Sequence, residues 1–320
     1  MITPRGELHI HLEGSVRPQV LLDIARRNDR PLPVDTVEEL GALYEFTDFE
    51  HFIEVWHLTT NCLQTAEDFQ QITLDYAAQA ASHGARYVEA IFSPAERVMR
   101  GVPFEDLFEG YCAGAQQALD AHGVLMRLTP DIFWSIEPDL AEETARWAVR
   151  YSDRGIVGFG IGGNEHWQQP ATYARAFAIA REGGLASVPH AGEVTGPARV
   201  AEVLDHLKPD RIRHGIGAAG DPALLARLAD EGIGLDVCPT SNVRTGAVDH
   251  TDDVPLDALL DAGVAFSINT DDPAMFNTDL GQEYALVNER GVSDEQLWAN
   301  ILAIAAMPRE QIIEAVDVSD

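Results

Sequence analysis

Two histidines stand two residues apart near the start of the chain, His9 and His11 in ELHIHLEG. Side chains at i and i+2 of a strand face the same way, so both imidazoles can reach one ion. An HxH pair is weak evidence by itself. Three further clusters strengthen it: His190 and Glu193 in PHAGE, His214 in RIRHG, and Asp271 with Asp272 in SINTDDP. Three imidazoles and a carboxylate make a plausible zinc shell with one position left for water. Such an ion lowers the pKa of bound water from about 16 toward about 7 and so supplies a nucleophile at neutral pH. His214 can act as the base for that water or position it. Glu193 lies three residues past His190, near enough to reach a substrate atom beside the metal. In a dry pocket its pKa would rise and it could deliver a proton. Taken singly, Glu193 reads as a helix-start carboxylate and His214 as a core histidine bonded to a carbonyl. Their joint placement is what departs from the ordinary.

For these residues to meet, the chain must bring several strand ends together. Eight β-rich runs recur, at 7–12, 86–92, 124–133, 155–161, 185–190, 211–215, 232–238 and 264–269. Between them lie Ala/Leu-rich amphipathic segments. PATYARAFAIAREGG (170–184) spaces its apolar residues three and four apart and stops on Gly, and DPALLARLADEG (221–232) opens on Asp-Pro and closes on Gly. Eight βα units without a composition break predict an α/β fold, a (β/α)8 TIM barrel, with residues 1–320 as one domain. A doubly wound open sheet is the alternative. In a barrel, active sites sit at the C-terminal ends of the strands. His9 and His11 end the first strand, His190 the fifth and His214 the sixth, and Asp271 and Asp272 follow the eighth, so all would face one mouth. FTDFEHFIEVWHLTTNC (46–62) is additional chain between the first two strands. Its Phe46, Phe49, Phe52, Ile53 and Trp56 recur at helical spacing, either as packing on the barrel or as an apolar lid.

Composition narrows the partners. Lys+Arg total 22 against 52 Asp+Glu, a net charge of −30. Such a surface repels nucleic acid and anionic membranes, which leaves a neutral or cationic small molecule as the easier partner. Arg97 and Arg244 are candidates to offset the charge locally at the mouth. Cys62, Cys112 and Cys238 are few, odd in number and scattered, which fits a reducing cytoplasm rather than a disulfide framework. The N-terminal residues carry no signal-peptide pattern, and no apolar run approaches the roughly 20 residues of a membrane helix. A cytoplasmic enzyme is expected. Lys208 is the only lysine, and in HLKPDRI it precedes a strand, at the wrong end of a barrel to bridge two metals as a carbamate. One metal per chain is the simpler expectation. Oligomeric state is not legible.

The motifs HIHLEG, YVEAIFSP, GFGIGGNE, PHAGE, RIRHGIG, VCPTSN and SINTDDPAMF occur in this order. With them the chain resembles the adenosine deaminase family of the amidohydrolase superfamily. The resemblance implies a zinc-activated water that attacks C6 of a 6-aminopurine and releases ammonia. It implies zinc ligands at His9, His11, His190 and Asp271. It implies proton transfer to purine N1 by Glu193, a water-orienting base at His214, and catalytic involvement of Asp271. Substrate contacts would come from His11, Glu13 (ribose 5′ side), the backbone N–H of Gly163 (to N3) and a protonated Asp272 (to N7). The cytidine-type zinc deaminase signature is absent, since Cys238 stands alone in VCPTSN.

Three departures bear on substrate. Asn164 stands in GGNE where adenosine deaminases usually have Asp. Glu13 stands in HLEG, as in adenine deaminases, yet Gly163 occupies a position that those base deaminases usually fill with Ser, which argues for a nucleoside. FTDFEHFI, SVPHAGEVTGP and MFNTDL are similar to a bacterial subgroup that deaminates 6-aminodeoxyfutalosine in menaquinone biosynthesis. The expected function is therefore a zinc-dependent adenosine-type deaminase, with 6-aminodeoxyfutalosine as the alternative substrate and adenine the less favoured one. A two-metal amidohydrolase acting on another bond, or a binding protein that has lost catalysis, would lack part of this residue set.

Overall fold

Every β-rich run feeds a helix before the next run begins, so consecutive strands must be parallel. The computed structural model describes residues 3–317 and has this arrangement. Its strands are β1 (Arg5–His11), β2 (Ala85–Phe92), β3 (Leu125–Phe133), β4 (Gly158–Gly162), β5 (Ala186–Ser187), β6 (His190–Ala191), β7 (Arg211–His214), β8 (Gly234–Val237) and β9 (Phe266–Ile268). They pair in chain order, β1 to β5 in one set and β6 to β9 in the other, all parallel.

The fifth predicted strand is thus two pieces. Pro189 has no N–H to give to a ladder. The chain hands its hydrogen bonds across the gap: Val188 N–H donates to Phe159 O at 3.0 Å, and Pro189 O accepts from Arg213 N–H at 2.9 Å. The ring then closes behind β9. His11 N–H donates to Asp271 O at 2.7 Å, and Asp271 N–H to His9 O at 3.1 Å. Strand order without reversal, with the end joined to the start, is the expected barrel; a doubly wound sheet would reverse about its first strand.

Strand edges retreat where helix caps claim them. The 232–238 run begins as strand only at Gly234, because Gly232 is the left-handed cap of helix Pro222–Glu231. That helix starts on Asp221, whose carboxylate accepts the N–H groups of Ala223 and Leu224. The crossover from β1 to β2 is richer than the sequence suggested. It holds four helices, Pro18–Arg27, Val37–Leu43, Phe49–Thr60 and Ala66–Ser82. The third is the expected lid segment and is capped by Asp48, which accepts His51 N–H at 2.9 Å.

Inside the barrel a layer of charge supports the mouth. Arg211 donates to Asp236 Oδ2 and Glu89 Oε2, each at 2.7 Å, and to the carbonyls of Ile304 and Leu8. Arg213 donates to Asp131 Oδ1 and Thr129 Oγ1, each at 2.5 Å. Both arginines are fully buried. Among the described residues no helix is long and apolar enough to cross a membrane.

Candidate active site and metal-binding group

β1 carries the first two ligand candidates, and its register slips between Glu7 and Ile10. At the slip Leu8 and His9 both donate their N–H to Asn269 Oδ1, at 2.7 and 3.1 Å. Bulges of this kind re-aim side chains beside active sites. His9 and His11 still face the same way. Their Nε2 atoms are 3.3 Å apart, His190 Nε2 lies 3.3 Å from His11 Nε2 and 3.1 Å from His9 Nε2. Asp271 Oδ1 completes the group at 3.3 and 3.4 Å from His9 and His11.

Four ligand atoms held about 2.0–2.1 Å from one ion at tetrahedral angles lie about 3.3 Å apart. The observed spacings match that figure. The protonation states fit as well. His190 Nδ1 faces Ile161 O at 2.8 Å, and a carbonyl only accepts, so Nδ1 carries a proton and Nε2 is the atom turned toward the group. Burial pushes the His11 pKa down to about 4 and that of His9 well below the usual range, so both imidazoles are neutral, the form that ligates. Burial opposes the Asp271 carboxylate, but His9, His214 and His11 hold its pKa well below normal. His9, His11 and His190 form one candidate metal-binding group, and Asp271 belongs to two others that share His9 and His11 with it.

Asp271 faces two ways. Its Oδ2 accepts the Ser241 hydroxyl at 2.6 Å and lies 3.6 Å from His214 Nε2. His214 Nε2 is also 3.5 Å from Glu193 Oε2. Burial lowers the His214 pKa to about 3, so the ring is neutral. Its Nδ1 lies 3.2 Å from the Asn242 amide. Turning that amide over brings its unpartnered Oδ1 to Nδ1–H and frees Nε2 to take a proton, the arrangement a base requires. Glu193 shows the opposite shift. Burial, then the charges of Asp271 and Glu165, push its pKa well above the carboxylate range, so it carries a proton to give. His214 and Asp271 both have left-handed backbones, with φ 57° and 62°. Such conformations cost of order 1 kcal/mol or more outside glycine and gather at functional sites.

The pocket above these groups has an empty volume of about 450 Å³, which includes space open to solvent. His11, Gly163, His190, Glu193, His214, Asp271 and Asp272 all line it. The lid helix supplies Phe49, Phe52, Ile53 and Trp56, facing Ile132 and Phe133. Phe46 packs on Phe52 and Phe276 instead, so the aromatic stripe is both lid and packing. Trp56 also donates its indole N–H to Asp272 Oδ1 at 2.9 Å. Burial and Asp271 push the Asp272 pKa well above normal. Gly14 explains part of HLEG: a Cβ there would lie 1.7 Å from Asp272 Oδ1. Asn164 Nδ2 reaches Glu50 Oε1 of the lid helix at 3.4 Å, where an Asp would repel it.

Three expected residues sit elsewhere. Glu13 does not line the pocket. It is buried behind the wall, and its Oε1 accepts Ser93 N–H at 2.8 Å. Arg97 is fully buried as well, donating to Thr60 Oγ1 at 2.6 Å with its guanidinium 5.3 Å from the Trp56 ring. Arg244 is tied to Tyr44 O and Glu45. Asn269, Ser241 and Asn242, which fix key side chains, had no assigned role in the sequence, and Trp56 was assigned only to the aromatic stripe. VCPTSN was visible there as a motif, but nothing in it said which atoms it serves.

Fold and donor set together define a class, the barrel hydrolases built around a metal-binding group. The family model described as adenosine deaminase matches residues 4–312. A protein of Acidothermus cellulolyticus named aminodeoxyfutalosine deaminase is 52% identical over 302 residues, covering 92% of this chain and 85% of its own. The crystal structure of adenine deaminase from Arthrobacter aurescens superposes with a TM-score of 0.92 at 32% identity, covering 99% and 98% of the two chains. An amidohydrolase from Burkholderia ambifaria with bound Zn superposes with a TM-score of 0.87 at 26% identity, covering 99% and 89%. The chain belongs to the adenosine deaminase family.

Proposed function

We propose that the protein is a zinc-dependent hydrolytic deaminase that exchanges the 6-amino group of an adenine nucleoside for oxygen and releases ammonia. The observation that carries this reading is the convergence of four ligand atoms, a protonated Glu193 and a neutral His214 on one pocket. His9, His11, His190 and Asp271 would hold one zinc ion per chain, whose charge makes water nucleophilic at neutral pH.

The chain's own groups do the rest. Glu193 gives its proton to purine N1, which draws electrons from C6 and opens it to attack by water. His214 takes a proton from the attacking water while Asp271 Oδ2 borders it. The C6–N bond then breaks as the proton held by His214 goes to the departing ammonia and the proton of the new C6 hydroxyl returns to Glu193. The N1 proton remains on the 6-oxo product. Gly163 N–H meets N3 and protonated Asp272 meets N7. The aromatic lid keeps bulk water from the reacting atoms.

Among adenine nucleosides, 6-aminodeoxyfutalosine is favoured over adenosine. The support is the 52% identity to a relative bearing that activity in its name, against 40% to a relative named adenine deaminase. Gly163 supports a nucleoside over the free base. Three free, buried cysteines fit a reducing cytoplasm. A parallel assay of the zinc-loaded enzyme with 6-aminodeoxyfutalosine, adenosine and adenine tests the reading. The expected order of kcat/KM is the order just given. No loss of adenine-band absorbance with either nucleoside refutes it, and adenine as the best substrate refutes the nucleoside assignment.

A further inference from the structure

Glu165 ends the GGNE segment and enters the chemistry above only through its charge, which helps raise the Glu193 pKa. Its side chain is buried, with 1% exposure, and it faces the turn that carries Glu193 rather than a cation. Oε2 accepts Gly192 N–H at 2.7 Å and the Thr195 hydroxyl at 2.6 Å. Oε1 accepts Glu193 N–H at 2.9 Å and Val194 N–H at 3.2 Å. Three successive amides and a hydroxyl therefore end on one carboxylate and fill its usual acceptor positions. The Glu165 carbonyl accepts from Arg199, on the helix Pro197–Leu207 that follows the same turn. Side chain and main chain of Glu165 are thus both tied to one segment.

Beyond a hydrogen bond with the Thr245 hydroxyl, the Glu193 carboxyl has little of its own to fix it. His214 Nε2 lies 3.5 Å away, outside good hydrogen-bond distance. Its direction is set by its backbone, and Glu165 holds that backbone. A buried carboxylate is costly unless hydrogen bonds replace its water, and here four donors do so. Glutamine has the same length but offers one oxygen and an NH2 group, which would confront two of the N–H donors.

We propose that Glu165 is a positioning residue that holds the 192–195 turn so that the Glu193 carboxyl reaches the purine ring. It acts on turnover and not on binding of substrate or metal. The inference rests on Glu193 being the proton donor proposed above.

The test combines Glu165→Gln, Glu165→Asp and Thr195→Val with Glu193→Gln, measuring kcat, KM and metal content of the purified holoenzymes. Glu165→Gln should lower kcat about 10- to 100-fold, the scale of a misplacement near 1 Å. KM should stay within about twofold and the metal should be retained. Glu165→Asp, which restores two oxygens, should recover part of the loss. In the Glu193→Gln background, Glu165→Gln should cost nothing further, because the group it positions is already gone. Should both Glu165 variants fail to fold, Thr195→Val carries the test, with a loss of about 3- to 10-fold in kcat that also vanishes in the Glu193→Gln background. An unchanged kcat in Glu165→Gln or Thr195→Val overturns the proposal. So does an equal loss in the Glu193→Gln background, or loss of metal. Full turnover by Glu193→Gln alone would instead overturn the proton-donor reading, and this inference with it.

Discussion

Two bands of buried polar groups lie one above the other in the barrel, and they are built oppositely. In the lower band the chain completes itself. Arg211 spans Glu89 and Asp236; the second oxygen of Asp236 accepts the Ser267 hydroxyl, and that of Glu89 accepts Tyr87 O–H and Ala306 N–H. In the upper band four candidate ligand atoms face one another at 3.1 to 3.4 Å, and burial pushes the two histidine pKa values on β1 down, so that neither ring supplies a cation to the group. That band is completed only from outside. Damage below should appear as lost stability, and damage above as lost ion and lost rate.

The largest separation is expected for Asp271→Ala. It removes one proposed ligand and the neighbour of His214, so metal content and turnover should both fall to background while the urea midpoint moves less than for a lower-band variant. Full metal occupancy with full rate, by elemental analysis and assay, would show that the ligand set is wrong. Glu193→Gln splits the upper band internally: metal should remain while kcat falls about 10²- to 10⁴-fold.

Arg211→Met probes the band below. It leaves Glu89 and Asp236 buried without their cation, a loss of about 3–5 kcal/mol in urea unfolding, with the metal per folded chain unchanged. The deficit should depend on pH. Burial already raises the Asp236 pKa, against the pull of Arg211. Without the guanidinium it rises further. A carboxyl whose folded pKa exceeds its unfolded value favours folding when protonated, and that benefit is lost as pH rises through the folded pKa. The variant should therefore lie closest to the parent at acid pH and fall further behind toward pH 8. An equal deficit at pH 5 and pH 8 would count against an uncompensated carboxylate. The smallest effect is expected where the lid meets the upper band. Trp56→Phe deletes the indole donor to Asp272 and should cost about 1 kcal/mol, roughly fivefold in kcat/KM, without loss of metal. An unaltered kcat/KM would separate lid from ring recognition.

What was legible in the sequence follows the same division. Residues whose types advertise chemistry at strand ends, such as His9, His11, His190, His214 and Asp271, could be found because period-two geometry and barrel topology bring strand ends together. The supporting partners could not. Asn269 holds the bulge under His9, and Trp56 reaches Asp272 from 216 positions away. Neither residue type signals a role, and no local periodicity links such distant positions. For Glu13 the family resemblance implies a contact on the ribose 5′ side, whereas the turn after β1 sends its carboxylate to the Ser93 amide. Of the two helices before the lid, Val37–Leu43 buries only Leu40 and is held by its Thr36–Glu39 box, whereas Pro18–Arg27 buries Leu21, Leu22, Ile24 and Ala25 at helical spacing and was legible in the sequence. The broken fifth strand was signalled by Pro189 in SVPH, but its neighbours Val188 and His190 read as β.

The solitary lysine has a practical consequence. Lys208 is exposed and sits at the end of helix Pro197–Leu207, just ahead of β7, whereas His214 closes that strand at the catalytic end. Apart from the α-amine, it is the chain's only primary amine. A surface or dye coupled through that amine would grip every molecule at the same point and in the same orientation, by its base. The opening would face away, so immobilisation at this point leaves the path for substrate and ion unobstructed.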